Sequence, residues 1–63
     1  MTIDIGSKLK TRREQMKLTQ LELAKKTGVS ESYICQIENG KMVSIRKLEK
    51  IAKALGCQAK DLL

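Results

Sequence analysis

Residues 19–40 constrain the fold of this chain more than any other segment, because two short helices and the turn between them can be placed from side-chain types alone. Thr19 and Glu22 have the spacing of a capping box, in which the hydroxyl and the carboxylate each accept the backbone N–H of the other residue. Gly28 can adopt the left-handed conformation that ends a helix. Ser30 is a second N-cap. The pattern predicts one helix on each side of Gly28.

Apolar side chains recur along one face of each of these helices. Leu23 and Thr27 lie one turn apart in the first helix, and Ile34 and Ile37 are three positions apart in the second, taken as residues 31–39. Residues at this spacing share a face, which is predicted to be buried. Two short helices joined by a turn that contains glycine are typical of a helix-turn-helix, here at about residues 20–39.

The flanking segments predict three further helical elements. Asp4 is the expected cap of a first helix, and Ser44 caps a helix with an apolar stripe that ends before Gly56. That stripe comprises Ile45, Leu48, Ile51, Ala52 and Leu55. A last short turn at residues 59–63 is expected to close the core. The chain is therefore predicted to be a compact all-α, five-helix domain that spans residues 1–63.

Charge and composition narrow the possible functions. Thirteen Lys and Arg residues against seven Asp and Glu residues give a net charge of +6, which favours a polyanionic partner. Histidine is absent, so no Cys–His or Ser–His catalytic pair can form. Two isolated cysteines cannot complete a zinc site. We expect no enzymatic activity, cofactor or metal. Neither an apolar run of about 18 residues nor a signal-peptide pattern is present, which predicts a cytoplasmic protein.

The spacing within the motif resembles that of the phage repressor/Cro (Xre-like) transcription factors. Counting Gln20 as the first position, Ala is fifth, Gly is ninth, and Ile is fifteenth and eighteenth. Residues 18–20, 38–41 and 52–56 are similar to recurring segments of the same family. The loop after Gly40 is one residue shorter than the commonest family form. The resemblance implies a lambda-repressor-like fold that binds duplex DNA sequence-specifically.

The resemblance places the base contacts on the outward face of the second motif helix, at Glu31, Ser32 and Gln36. Gln36 is able to bond N6 and N7 of adenine in a bidentate pair, and Ser32 is permissive. Glu31 has two interpretations: it accepts from N4 of cytosine, or it only stabilises the N-terminus of its own helix. In either case the carboxylate should penalise binding to the wrong sequence.

The resemblance also implies contacts that position the protein on the phosphate backbone without reading sequence. The residues concerned are Thr19, Gln20, Tyr33, Asn39, Lys41 and Arg46. Arg13 and Glu38 match a family pair that joins the first helix to the end of the second motif helix, which is the recognition helix of the family. We interpret this pair as a bidentate structural ion pair whose contribution depends on its burial.

These features predict a transcriptional regulator, most simply a repressor, that acts as a homodimer on a palindromic operator. The dimer face is expected around the start of the fourth helix and Leu62–Leu63. One alternative within the same class is the DNA-binding antitoxin of an autoregulated toxin–antitoxin pair. A second alternative is a protein-interaction module on the same scaffold, which would use the apolar residues Leu21 and Met42.

Overall fold

Four α-helices and one 3-10 turn make up residues 4–63, the part of the chain that the computed structural model describes. The helices are α1 (Ile5–Gln15), α2 (Gln20–Thr27), α3 (Glu31–Glu38) and α4 (Ile45–Ala54), followed by the C-terminal 3-10 turn (Ala59–Leu62). The predicted all-α class is confirmed. Residues 1–3 of the predicted domain lie outside the described residues. Among residues 4–63, no helix is long and apolar enough to cross a bilayer.

A side-chain oxygen caps the N-terminus of each α-helix. Asp4, Thr19, Ser30 and Ser44 accept the backbone N–H three residues later, at 2.9, 3.0, 3.1 and 3.3 Å respectively. The cap of α2 is a complete capping box, since Glu22 accepts the backbone N–H of Thr19 at 2.8 Å. Each cap satisfies a backbone donor that the helix itself leaves without a partner.

The turn between α2 and α3 is held by Thr27 and Gly28. Gly28 has φ of +77°, the left-handed conformation predicted for it. The buried Thr27 hydroxyl donates to the Leu23 carbonyl oxygen at 3.0 Å and accepts the Val29 N–H at 3.2 Å. These bonds attach the turn to the end of α2, so the angle at which α3 leaves α2 is well defined.

The core receives apolar side chains from all four helices and from the 3-10 turn. Its buried members are Leu9, Leu23, Ala24, Val29, Ile34, Ile37, Leu48, Ile51, Ala52, Leu55 and Leu62. One member of the predicted α4 stripe is absent from this set, because Ile45 is 59% exposed. Ile45 is the first residue of α4, and its side chain faces solvent although Val43, two residues earlier, packs against the core.

The last element differs from the predicted fifth α-helix. Four residues, Ala59–Leu62, form a 3-10 turn, a length too short to repeat the i to i−4 bonds of an α-helix. Leu62 is fully buried against Leu48 and Ala52. The expectation that Leu62 contributes to a dimer face is therefore wrong, because its side chain is needed inside the monomer. Leu63 remains 43% exposed.

Helix α1 approaches the end of α3 at Gly6. A Cβ atom at this position would lie 2.4 Å from the Ile37 carbonyl oxygen and 2.9 Å from that of Glu38. Only glycine therefore allows the two backbones to come this close without a shift. This contact with α1 supports the C-terminal end of α3 and determines the position of that helix in the domain.

Candidate nucleic-acid interface

The outward face of α3 carries the three residues predicted to contact bases. Glu31, Ser32 and Gln36 are all exposed, whereas Ile34 and Ile37 on the opposite face are 0% and 1% exposed. The structure thus brings the three polar side chains together on one accessible helix face. The buried isoleucines prevent that face from rotating inward.

Helix α3 ends in a Schellman motif that fixes the residue after it. The Gly40 N–H donates to the Ile37 carbonyl at 3.0 Å, and the Lys41 N–H donates to the Gln36 carbonyl at 2.9 Å. Gly40 has φ of +103°, as this motif requires. The side chains of Lys41 and Gln36 are also hydrogen-bonded: Lys41 Nζ donates to Gln36 Oε1 at 2.9 Å. Lys41 is therefore bonded to Gln36 through both its backbone and its side chain.

Two lysines lie over the ring of Tyr33. Nζ of Lys41 is 5.1 Å from the ring centroid, and Nζ of Lys47 is 5.5 Å from it, distances at which a cation is attracted to an aromatic face. Tyr33 thereby gathers positive charge from the loop and from α4 beside the recognition helix. Lys47 is not among the residues predicted from the sequence to contact DNA. Its position three residues after the Ser44 cap placed it on α4, but gave no indication that it would reach Tyr33.

A polar network joins the ends of three helices behind this face. Arg13 Nε and Nη2 donate to the two Glu38 oxygens at 2.8 and 3.2 Å, and Arg13 Nη1 donates to the Leu18 carbonyl at 2.7 Å. Only 10% of the Arg13 side chain and 4% of the Glu38 side chain are exposed. Hydrogen bonding to Glu38 raises the pKa of Arg13. Gln20 Nε2 also donates to Glu38, at 3.1 Å.

Besides Lys41, three of the residues predicted to contact phosphate have hydrogen-bond partners within the chain. Gln20 Nε2 donates to Glu38, Thr19 accepts from the Glu22 N–H, and Asn39 Nδ2 donates to the Cys35 carbonyl oxygen at 2.8 Å and to Cys35 Sγ at 3.4 Å. Gln20 keeps a second N–H for another partner, since an amide nitrogen carries two N–H groups. Their side chains are therefore oriented before any ligand arrives.

Arg46 lies away from this network, on the exposed face of α4. A surface hollow there is lined by Ser44, Arg46, Lys47 and Lys50. The hollow opens beside the N-terminus of α4, so it combines three basic side chains with the start of a helix. Within residues 4–63, no three His, Cys, Asp or Glu side chains lie close enough together to hold a metal ion.

Comparison with known proteins agrees with the geometry. A helix-turn-helix family matches residues 9–62 of the chain. The immunity repressor protein of Bacillus phage phi105 is 38% identical over 60 residues, which are 94% of this chain and 42% of that repressor. The chain thus spans less than half the length of that relative.

Two solved structures extend the likeness to three dimensions. The restriction-modification controller protein C.AhdI from Aeromonas hydrophila is 31% identical with a TM-score of 0.92, covering 97% of this chain and 94% of that one. SinR, a master regulator for biofilm formation solved in complex with DNA, is 35% identical with a TM-score of 0.88, covering 92% of this chain and 95% of that one.

Proposed function

The chain belongs to this helix-turn-helix family of DNA-binding transcriptional regulators, and we propose that it represses transcription as a homodimer on a palindromic operator. The observation that carries the proposal is the exposed polar face of α3, held outward by two buried isoleucines. An α-helix fits the major groove of B-DNA, where each base pair presents a distinct pattern of donors and acceptors.

In this arrangement α3 reads the half-site. Gln36 supplies an amide with one donor group and one acceptor, the combination that bonds N7 and N6 of adenine. Ser32 is permissive, because its hydroxyl can donate to or accept from different bases. Glu31 accepts from N4 of cytosine or, alternatively, stabilises only the N-terminus of α3.

Phosphate contacts surround this reading face. Lys41, Arg46 and the hydroxyl of Tyr33 supply direct contacts, and Thr19, Gln20 and Asn39 add contacts at the ends of the two motif helices. We add Lys47 to this group, because it shares the ring of Tyr33 with Lys41. The net charge of +6 supports attraction to a polyanion, and a DNA target places the protein in the cytoplasm.

We infer a dimer because a single recognition helix is too short to contact a whole operator. One helix contacts only a half-site, and two-fold related helices match a palindrome whose half-sites lie one helical turn apart, about 34–36 Å. Exposed apolar side chains at the start of α4 and at the C-terminus support a dimer face there: Met42 is 91% exposed, Ile45 is 59% exposed and Leu63 is 43% exposed.

Selection of bound sites from a random duplex library tests this function. We expect an inverted repeat with half-sites one helical turn apart, and a dimer by sedimentation in the bound state. The Gln36→Ala variant should fold normally and lose selectivity at one base pair per half-site, costing about 1–3 kcal/mol on the preferred site. If the wild-type chain enriches no sequence, the proposed function is wrong. If Gln36→Ala keeps its selectivity, the assignment of α3 as the recognition helix is wrong.

A protein-interaction module is the second candidate, because Leu21 and Met42 are large apolar side chains at 46% and 91% exposure. The same library experiment separates the two functions. The protein-interaction function is supported if the chain does not retain DNA at moderate salt and if Leu21 or Met42 is required for binding a protein partner. An antitoxin that represses its own operon predicts the same operator binding, and a toxin gene adjacent to that operator would identify it.

A further inference from the structure

The bond between Lys41 and Gln36 determines which way the Gln36 amide faces. An ammonium group has donors only, so the Gln36 atom 2.9 Å from Lys41 Nζ is the carbonyl oxygen Oε1. The amide nitrogen therefore points away from the loop. The Schellman motif holds the backbone of Lys41 on the Gln36 carbonyl, so the meeting of the two side chains is built into the end of α3.

This orientation changes what Gln36 offers to a base. To pair with adenine, Oε1 must accept from the N6 amino group, but that oxygen already accepts from a cation. Oε1 has a second lone pair for the amino group, but the partly positive N6 hydrogens would then lie beside the full positive charge of the Lys41 ammonium, which weakens the pair with adenine. Guanine presents only acceptors at this edge, O6 and N7, so it can accept from the Gln36 amide nitrogen while Oε1 stays bonded to Lys41.

We propose that Lys41 is a specificity-determining residue that acts through Gln36 and shifts its preference from adenine to guanine. The inference rests on the proposed function, since it concerns the same reading face. It gives Lys41 a role beyond the phosphate contact predicted from the sequence. Within residues 4–63, Lys47 also lies over Tyr33 but does not hydrogen-bond Gln36, so the two lysines should behave differently.

The test compares Lys41→Met with Lys47→Met. Both variants remove one cation from the ring of Tyr33 and keep an unbranched side chain, and the backbone N–H of Lys41 remains to form the Schellman motif. Library selection is performed with the wild type, both variants and Gln36→Ala. The base pair that faces Gln36 is identified as the position of the selected sites at which Gln36→Ala loses its base preference.

We expect the guanine-to-adenine enrichment ratio at that base pair to fall about tenfold in Lys41→Met, within the range of one good base contact. Lys47→Met should weaken all sites alike and leave the ratio unchanged. In a Gln36→Ala background, Lys41→Met should no longer alter the ratio. The inference is overturned if Lys41→Met leaves the ratio unchanged, or if Lys47→Met changes it equally. A wild type that selects no sequence would instead remove the proposed function itself.

Discussion

At the scale of single residues, Glu38 joins the recognition helix α3 to the two helices before it. Its carboxylate accepts from Arg13 on α1 and from Gln20 on α2, while Glu38 itself is the last residue of α3. Burial removes these groups from water, so each must be matched by a partner. The network therefore ties the recognition helix to both helices before it.

Loss of either charge should be costly. Arg13→Ala or Glu38→Ala should lower the free energy of unfolding by about 3–5 kcal/mol, because each leaves a buried charge unmatched. The double variant should be no worse than the more damaging single one. Urea denaturation measures all three, with Arg46→Ala on the exposed face of α4 as a control that stays within about 0.5 kcal/mol. Small, additive losses would mean that the pair behaves as an exposed one.

At the scale of elements, the contact between α1 and α3 depends on Gly6. Helix propensity alone predicts that Gly6→Ala stabilises the domain by about 1 kcal/mol. The two carbonyl oxygens at 2.4 and 2.9 Å from the added Cβ predict the opposite sign. The backbones must separate, and overpacking of this kind typically costs about 1–3 kcal/mol. Thermal unfolding distinguishes the two signs. Ser7→Ala, at the next and exposed position, is the control and should be neutral or slightly stabilising.

The capping box of α2 gives a pH dependence. Bonds from the Thr19 backbone N–H and then from its hydroxyl lower the pKa of Glu22 below its ordinary value of 4.5. A carboxyl whose pKa is lower in the folded state stabilises the fold above its unfolded value, and this contribution is lost as pH falls through the folded value. The advantage in melting temperature of the wild type over Glu22→Gln should therefore be full above pH 4.5, decline below it and be gone once the pH is below the lowered pKa of the folded state. Glu49→Gln, outside any cap, controls for net charge. An advantage that persists in acid would contradict this assignment.

At the scale of the whole molecule, positive charge controls the strength of binding. A dimer that neutralises roughly 6–10 phosphates should lose about 10³- to 10⁵-fold in affinity between 50 and 200 mM salt. Fluorescence anisotropy on the selected operator measures the slope. Lys47→Met should reduce that slope, whereas Gln36→Ala should leave it nearly unchanged because it removes no charge. A flat salt response would be incompatible with a phosphate-dominated interface.

Local features of the sequence determined the elements of this protein. The four N-caps, the left-handed Gly28 and the buried stripes, apart from Ile45 in the α4 stripe, involve residues no more than a few positions apart, so the sequence alone predicted them correctly. Membership of the helix-turn-helix family, predicted from the motif spacing, is confirmed by the match over residues 9–62. The assignment of individual DNA contacts stays a prediction.

Only the tertiary structure decided how these elements meet. The close approach at Gly6, the inward bond of Gln20 and the two lysines over Tyr33 join residues that are far apart in the chain or on different elements. The sequence did not reveal them, because a glycine in a helix or a lysine on an exposed face looks the same whether or not another helix passes beside it. Their roles depend on how the helices pack, and packing is set by the whole core at once.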